Sequence, residues 1–274
     1  MAWGGFWYPL RWFDELGVGS AWISEIFFIV MAASALPWVF RRNAWGDSIS
    51  GQLLTGLLLG LAFALYMISL VMTDVIHAIL LFYLTPVWST IGGIIFLRER
   101  LTISRSLAMI LGFAGMAFIL GVKDGLPLPR NSGDWIALAS GICWAFGTLR
   151  SYTKPTPGIA VHVFVYALGG LVASAAILGI AGLQGSPLAS TGQMFAVLPL
   201  IVGLAFIIFV PPSFLVLWAA QRIDPGRVGI LLMTEVLAGA ITAALFSGEQ
   251  FGVVEFAGTT LIICAGLIEV LGRR

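Results

Sequence analysis

Between Leu80 and Leu120 two apolar runs flank a single polar tripeptide, Arg98-Glu99-Arg100. Each run is about the 20 residues that a helix needs to cross a bilayer. Inside the first run sit Pro86, Trp88 and the small residues Ser89, Gly92 and Gly93. The pattern returns near the C-terminus. A gapless shift of 150 positions lays Asp74 on Asp224, Pro86 on Val236, Phe96 on Phe246 and Glu99 on Glu249. A repeated pair of long apolar segments restricts the chain to an architecture of two related halves.

Only 10% of the 274 residues are charged, 59% are hydrophobic, and the mean hydropathy is +1.02. Soluble domains carry about 25% charged residues. A chain this apolar could not cover a water-facing surface, so it reads as an integral membrane protein. The formal net charge of +1 leaves no field for nucleic acid. Cys143 and Cys264 lie midway along apolar runs and read as small packing residues rather than a disulfide or metal site. The two histidines are far apart and give no metal-ligand spacing. P-loop, GxSxG and GxGxxG motifs are absent, so no enzyme and no cofactor is expected.

Nine segments are long and apolar enough to span: Ser20–Phe40, Gln52–Thr73, Ile76–Leu97, Ser104–Val122, Asp134–Arg150, Ile159–Leu183, Gln193–Ala219, Val228–Phe246 and Gly252–Leu271. Lipid cannot satisfy backbone N–H and C=O groups, so these are read as helices and the fold class as all-α. Met1–Leu16 would reach only about 24 Å as a helix, short of the ~30 Å hydrocarbon core. Its Trp3-Gly4-Gly5-Phe6 resembles Trp144-Ala145-Phe146-Gly147, which lies ten residues into the segment that opens at Asp134. That comparison implies ten helices, the first of them partial, its opening half missing before Met1 through a start placed too late or a truncation. A signal peptide is the rival reading, but a basic leading region and a small-residue cleavage site are missing.

Lys and Arg set the orientation. Arg41, Arg42, Arg98, Arg100, Arg105, Arg150, Lys154, Arg222, Arg227, Arg273 and Arg274 fall on one side, against Arg11, Lys123 and Arg130 on the other. Such an excess marks the cytoplasmic face and places the C-terminus there. With five helices per half, the copies insert in opposite senses, giving two inverted five-helix repeats over residues 1–122 and 134–271. Trp22, Trp38, Trp45, Trp135 and Trp218 lie near segment ends, as an interfacial belt requires, whereas Trp88 and Trp144 lie deep.

Tyr83-Leu84-Thr85-Pro86-Val87-Trp88, followed by Phe96-Leu97-Arg98-Glu99-Arg100-Leu101 and the glycines Gly112 and Gly115, resembles the EamA family of the drug/metabolite transporter superfamily. Thr234-Glu235-Val236 and Ser247-Gly248-Glu249 carry the same pattern in the second half. The likeness runs from Trp3 to Leu271. It implies ten helices in two inverted bundles around a central cavity, and export or exchange of small metabolites, often amino acids. Val236 stands where the second-half pattern has proline, so the fourth and ninth helices need not bend alike.

Glu235 is the most informative residue. It sits about eight residues into the ninth helix, where an ionised carboxylate is costly by a few kcal/mol or more and burial favours the neutral form. It reads either as a site for protons or a cationic substrate group, or as a neutral acid bonded to a neighbouring helix. Ala238, Gly239 and Thr242 share its face, which suits a cavity wall or close packing. Thr85, Trp88 and Ser89 occupy the matching part of the fourth helix around Pro86, and helix interruptions of this kind point to transporter sites. Trp88 either stacks on a substrate ring or packs as bulk. Tyr83 and Trp144 are further candidates for cavity lining.

Pro211-Pro212 predicts a second kink. His77, three residues after Asp74, reads as an interfacial cap or a pH-sensing gate. Glu25, Glu255 and Glu269 lie near segment ends and can snorkel to water. Arg98-Glu99-Arg100 reads as an orientation signal with a local ion pair, and as a possible cytoplasmic latch. Gly56 and Gly60, followed by Ala64, form a small-residue stripe suited to packing within the bundle.

The leading reading is a secondary transporter of small metabolites, amino-acid-like or related. It is a multi-pass protein of a bacterial-type inner membrane, a monomer or homodimer in contact with lipid, driven by exchange or by protons. The alternatives are a multidrug or organic-cation exporter and a non-transporting membrane scaffold.

Overall fold

The computed structural model describes residues 7–40, 45, 49–73, 75–119, 128–156, 158–183, 191–238 and 252–271. Among them every regular element is helical. In chain order these are α1 (Trp7–Glu15), α2 (Ser20–Val39), α3 (Ile49–Met72), α4 (Val75–Phe82), α5 (Thr85–Leu97), α6 (Ile103–Ile119), α7 (Ser132–Thr153), α8 (Ile159–Leu183) and α9 (Thr191–Leu204). A π-helical turn (Ala205–Phe209) joins α9 to α10 (Val210–Ala220), and α11 (Pro225–Leu232) and α12 (Val253–Leu271) follow. Residues 235–238 are helical again after a turn at 233–234.

Five stretches of described helix have the length and composition to cross a membrane: Ala21–Val39, Ile49–Met72, Ala78–Leu97, Ile159–Ile180 and Met194–Ala220. The apolar helices Ile103–Phe118 and Phe256–Leu271 are shorter. α7 has the length, 22 residues, but carries Ser, Gly and Thr through its middle. Val228–Phe246, expected as one span, lies outside the described residues beyond position 238.

Helix α3 packs against α7 and α8, α2 against α8, α6 against α12, and α5 against α7 and α11. Small residues permit the closest crossing. A Cβ on Gly56 would meet the Val165 backbone, one on Gly60 the backbone at Gly169 and Gly170, and one on Gly169 the carbonyl of Gly56. The expected stripe on α3 thus serves helix packing inside the bundle. An aromatic core fills the space beside this crossing. Phe28 meets Phe63, Tyr166 and Phe209 edge-on, and Phe63 lies 5.0 Å from Phe209 between ring centroids.

The apolar run 78–97 is not one helix but two. Pro86 has no N–H to offer the carbonyl four residues back, that of Phe82. The Thr85 hydroxyl donates to that oxygen instead, at 2.6 Å. The chain turns at Tyr83-Leu84 and restarts at Thr85. One repeat length later the same break occurs at Met233-Thr234, with Glu235 restarting the helix. Valine at 236 was expected to let the two helices bend differently; they break at matching positions. The cause is local competition: the Thr234 hydroxyl donates to Leu231 O at 2.7 Å, and the turn tightens to three-residue bonds from Met233 N to Ile230 O and from Thr234 N to Leu231 O.

The predicted kink at Pro211-Pro212 follows the π turn, with Phe209 leading into α10. The stretch Met194–Ala220 that contains it is the most open of the five, 22% buried against 44–56% for the others.

Candidate substrate site at the broken helices

Glu235 is 6% exposed, and Tyr83 is 4% exposed beside it. The Tyr83 hydroxyl donates to Glu235 Oε2 at 3.1 Å. The break that ends α4 carries the donor, and the break that ends α11 presents the acceptor. Tyr66, from the middle of α3, lies within electrostatic range of the same carboxyl group. Its ring packs on Phe82 at 4.4 Å, and Phe82 in turn faces Tyr83 at 5.3 Å and Trp144 at 6.4 Å. An acid and two tyrosine hydroxyls thus sit in an aromatic shell drawn from α3, α4 and α7.

Four of the six expected binding residues, Glu235, Tyr83, Trp144 and Thr85, touch one another or join this group through Phe82. Glu235 and Tyr83 touch, and Trp144 joins through Phe82. Thr85 is 2% exposed; its hydroxyl is committed to Phe82 O and, at 3.4 Å, to Gly141 O on α7. Ser89, one turn along the same face of α5, is 2% exposed, and its hydroxyl has no partner among the described residues. Trp88, on the adjacent face, is half-buried, and its Nε1–H also lacks a partner. Those two groups keep hydrogen-bonding capacity that the described residues do not use. Pro86 shapes the break. Its ring is the surface that α11 approaches, since a Cβ on Gly229 would lie 3.0 Å from Pro86 Cγ. Pro211 and Pro212 open α10 instead. The side chain of His77, like Asp74 and the side chain of Glu255, lies outside the described ones.

Sequence reasoning passed over Tyr66 and Phe82. One signal was available: of five tyrosines, Tyr66, Tyr83 and Tyr166 fall deep within apolar runs, where a hydroxyl needs a partner. His162 was also missed. It is 1% exposed at the start of α8, with Nε2 at 3.2 Å from Ser151 Oγ and Nδ1 at 3.2 Å from Thr156 Oγ1.

The basic end of the bundle differs from expectation. Glu99 pairs not with its neighbours Arg98 and Arg100, which are exposed, but with Arg105 at 3.1 Å. Arg105 also reaches Asp224 at 2.9 Å and Glu269 at 3.5 Å, and Arg227 reaches Glu269 at 3.2 Å. Glu269 was expected to snorkel to water; it is 4% exposed and holds two guanidinium groups. Burial, and then the Asp224 carboxyl group, push the Glu99 carboxyl above the usual carboxylate range. Burial also pushes Asp224 upward, but the bond from Glu99, the charge of Arg105 and the N–H groups of Arg227 and Gly226 outweigh it and hold Asp224 below that range.

At the opposite end Asp134, fully buried, accepts from the Thr73 hydroxyl at 2.6 Å and from Arg130 N at 2.9 Å, while its own N–H is capped by Asn131 Oδ1 at 2.9 Å.

The model of the EamA-like transporter family matches residues 1–121 and, a second time, residues 131–270. The chain belongs to the EamA-like transporter family. Members of this family are multi-pass membrane transporters of small molecules rather than enzymes. The two matches agree with the repeat seen in the shift of 150 positions and in the paired helix breaks. A crystal structure 18% identical in sequence matches with a TM-score of 0.66, covering 94% of this EamA protein and 90% of its own chain. At that identity the likeness speaks for the fold. A comparison with curated proteins finds no match.

Proposed function

We propose that this EamA protein is a secondary transporter that exports or exchanges small metabolites, amino-acid-like or related, across the inner membrane by alternating access. The observation that carries this reading is the contact between Glu235 and Tyr83 at the two matched helix breaks. An ionised carboxyl group among aromatic rings in the apolar part of a bundle is costly, and an acid kept at such a place is by default a site for protons or a substrate. Broken helices place polar groups near the midplane of a carrier. In the proposed arrangement residues 1–122 and 134–271 form two repeats of opposite orientation, with the C-terminus cytoplasmic. Glu235 takes the proton or the ammonium group of a substrate. Tyr83 orients that carboxyl, Thr85 fixes the break, and Trp88, Ser89 and Trp144 contact the remainder of the substrate.

A multidrug or organic-cation exporter is favoured by one feature, the cluster of Tyr66, Phe82, Tyr83 and Trp144 around the acid. Aromatic faces attract cations whatever the rest of the ligand.

The test is counterflow in proteoliposomes. Labelled solute should accumulate against unlabelled solute with the wild type, and Glu235→Gln should abolish this while leaving the protein folded and inserted. Candidate solutes come from a thermal-shift screen of amino acids, amines and nucleosides, and a stabilising hit should vanish in both Trp88→Ala and Glu235→Gln. Amines alone as hits would move the assignment to the cation exporter. No counterflow with any hit would leave a scaffold.

A further inference from the structure

We propose that Glu99, Arg105, Asp224, Arg227 and Glu269 form a proton-dependent latch that holds the basic end of the bundle closed beneath the candidate site. The inference rests on the carrier reading for its purpose, but its geometry is independent of it. Arg105 opens α6 in the first half, and the three acids it binds come from the loop after α5, the cap of α11 and the end of α12. The same Asp224 that receives Arg105 caps α11 through Arg227 N at 3.2 Å, and α11 ends at the break that presents Glu235. One guanidinium therefore ties the first half to the start of α11, which leads to the site, and to the end of α12. Position 105 is arginine, whereas its mate under the 150-residue shift is Glu255, so the arginine that holds this end has no cationic counterpart in the other copy.

Charge makes the closure conditional. The network holds three carboxyl groups and two guanidinium groups, and Glu99 and Asp224 both bind the Arg105 guanidinium, at 3.1 and 2.9 Å. Three carboxylates converging on Arg105 repel one another, so one proton is held among them. That proton resides on Glu99, the half-exposed member, and Asp224 stays ionised against Arg105. Arg98 and Arg100 flank the group but are exposed. Opening returns Glu99 to water and to its ordinary value, which releases the proton. The closed form binds the proton more tightly, so acid favours closure. A rise in pH through the raised Glu99 value favours opening, by up to about tenfold per pH unit within that window.

The experiment reads access rather than transport. In full-length protein carrying Cys143→Ser and Cys264→Ser, Ser89→Cys supplies one buried thiol, and the protein is held in inverted membrane vesicles, where an impermeant reagent added outside reaches the thiol only from the basic end. Its alkylation by a charged maleimide is followed from about pH 5 to about pH 8, each rate divided by that of the same thiol in denatured protein. The latch predicts that alkylation accelerates as pH rises. Arg105→Gln should be fast at every pH, and Glu99→Gln, a fixed mimic of the protonated acid, slow and flat. Alkylation of Arg105→Gln no faster than the parent, or a pH slope that survives Glu99→Gln, overturns the proposal. Should Arg105→Gln not fold, the Glu99→Gln comparison decides alone. Loss of thermal stability without a change in alkylation marks an ordinary structural ion network and also overturns it. Counterflow by the Cys143→Ser, Cys264→Ser parent with Ser89 intact, reconstituted in proteoliposomes, separates the two readings: the expected alkylation pattern with no counterflow removes the carrier but keeps the latch. Counterflow with a flat pattern does the reverse.

Discussion

The Tyr83 hydroxyl hydrogen-bonds Glu235 Oε2 at 3.1 Å, joining two residues 152 positions apart, each at the break of its own helix. Tyr83→Phe removes the donor of this bond and Glu235→Ala its acceptor. Tyr83→Phe and Glu235→Ala should each lower stability by about 1 kcal/mol or more. Because they share one bond, the double variant should lose less than the sum, with a coupling of about 0.5–3 kcal/mol. Unfolding of the three variants in one detergent measures this, and simple additivity would show that the contact contributes nothing.

Two glycines should respond to alanine with opposite signs. A Cβ on Gly60 would meet the backbone of Gly169 and Gly170, which cannot move without parting α3 from α8, whereas nothing lies within 4 Å of a Cβ on Gly203. Gly60→Ala should cost about 1–3 kcal/mol through overpacking. Gly203→Ala should gain up to about 1 kcal/mol from the better helix former. Melting temperatures of the two variants, falling in one and rising or unchanged in the other, check the crossing.

Much of this was legible before any coordinates, because lipid forces apolar runs into helices and makes a lone acid such as Glu235 conspicuous. What sequence could not supply was partnership across helices. Glu269 viewed against lipid alone must reach for water, and only the arrival of Arg105 and Arg227 from other helices makes its burial sensible. Tyr66 was invisible for a similar reason, since its place beside Glu235 depends on where α3 crosses α7. The break at Met233-Thr234 escaped because proline was taken as the signal, while a threonine hydroxyl bonding back to Leu231 achieves the same end.

Asp134 should anchor the end opposite the latch. Its carboxylate is fully buried and takes the Thr73 hydroxyl and the Arg130 N–H, fixing the start of α7 against the end of α3. Asp134→Ala leaves those donors without their acceptor and should lower stability by about 1–3 kcal/mol. Asn131→Ala removes only the cap on the Asp134 N–H and should cost about 1 kcal/mol. Equal losses in the two variants would mean that the cap, not the interhelical bond, holds this end.

The two ends of the bundle should meet different compartments. Arg150 reaches Gly51 O at one end of α7, and Asp134 reaches Thr73 at its other end, so α3 and α7 run antiparallel. Exposed Arg130 stands at the Asp134 end, and exposed Arg98 stands at the end of Arg105 and Glu269. If the excess of Lys and Arg marks the cytoplasm, Arg98→Cys in inverted vesicles should react with an impermeant thiol reagent while Arg130→Cys does not, and intact cells should give the reverse. Reaction of both from one side would place the halves in the same sense across the membrane. Two five-helix copies could not then be mirror-related, and Glu235 and Tyr83 would meet without the symmetry that alternating access requires.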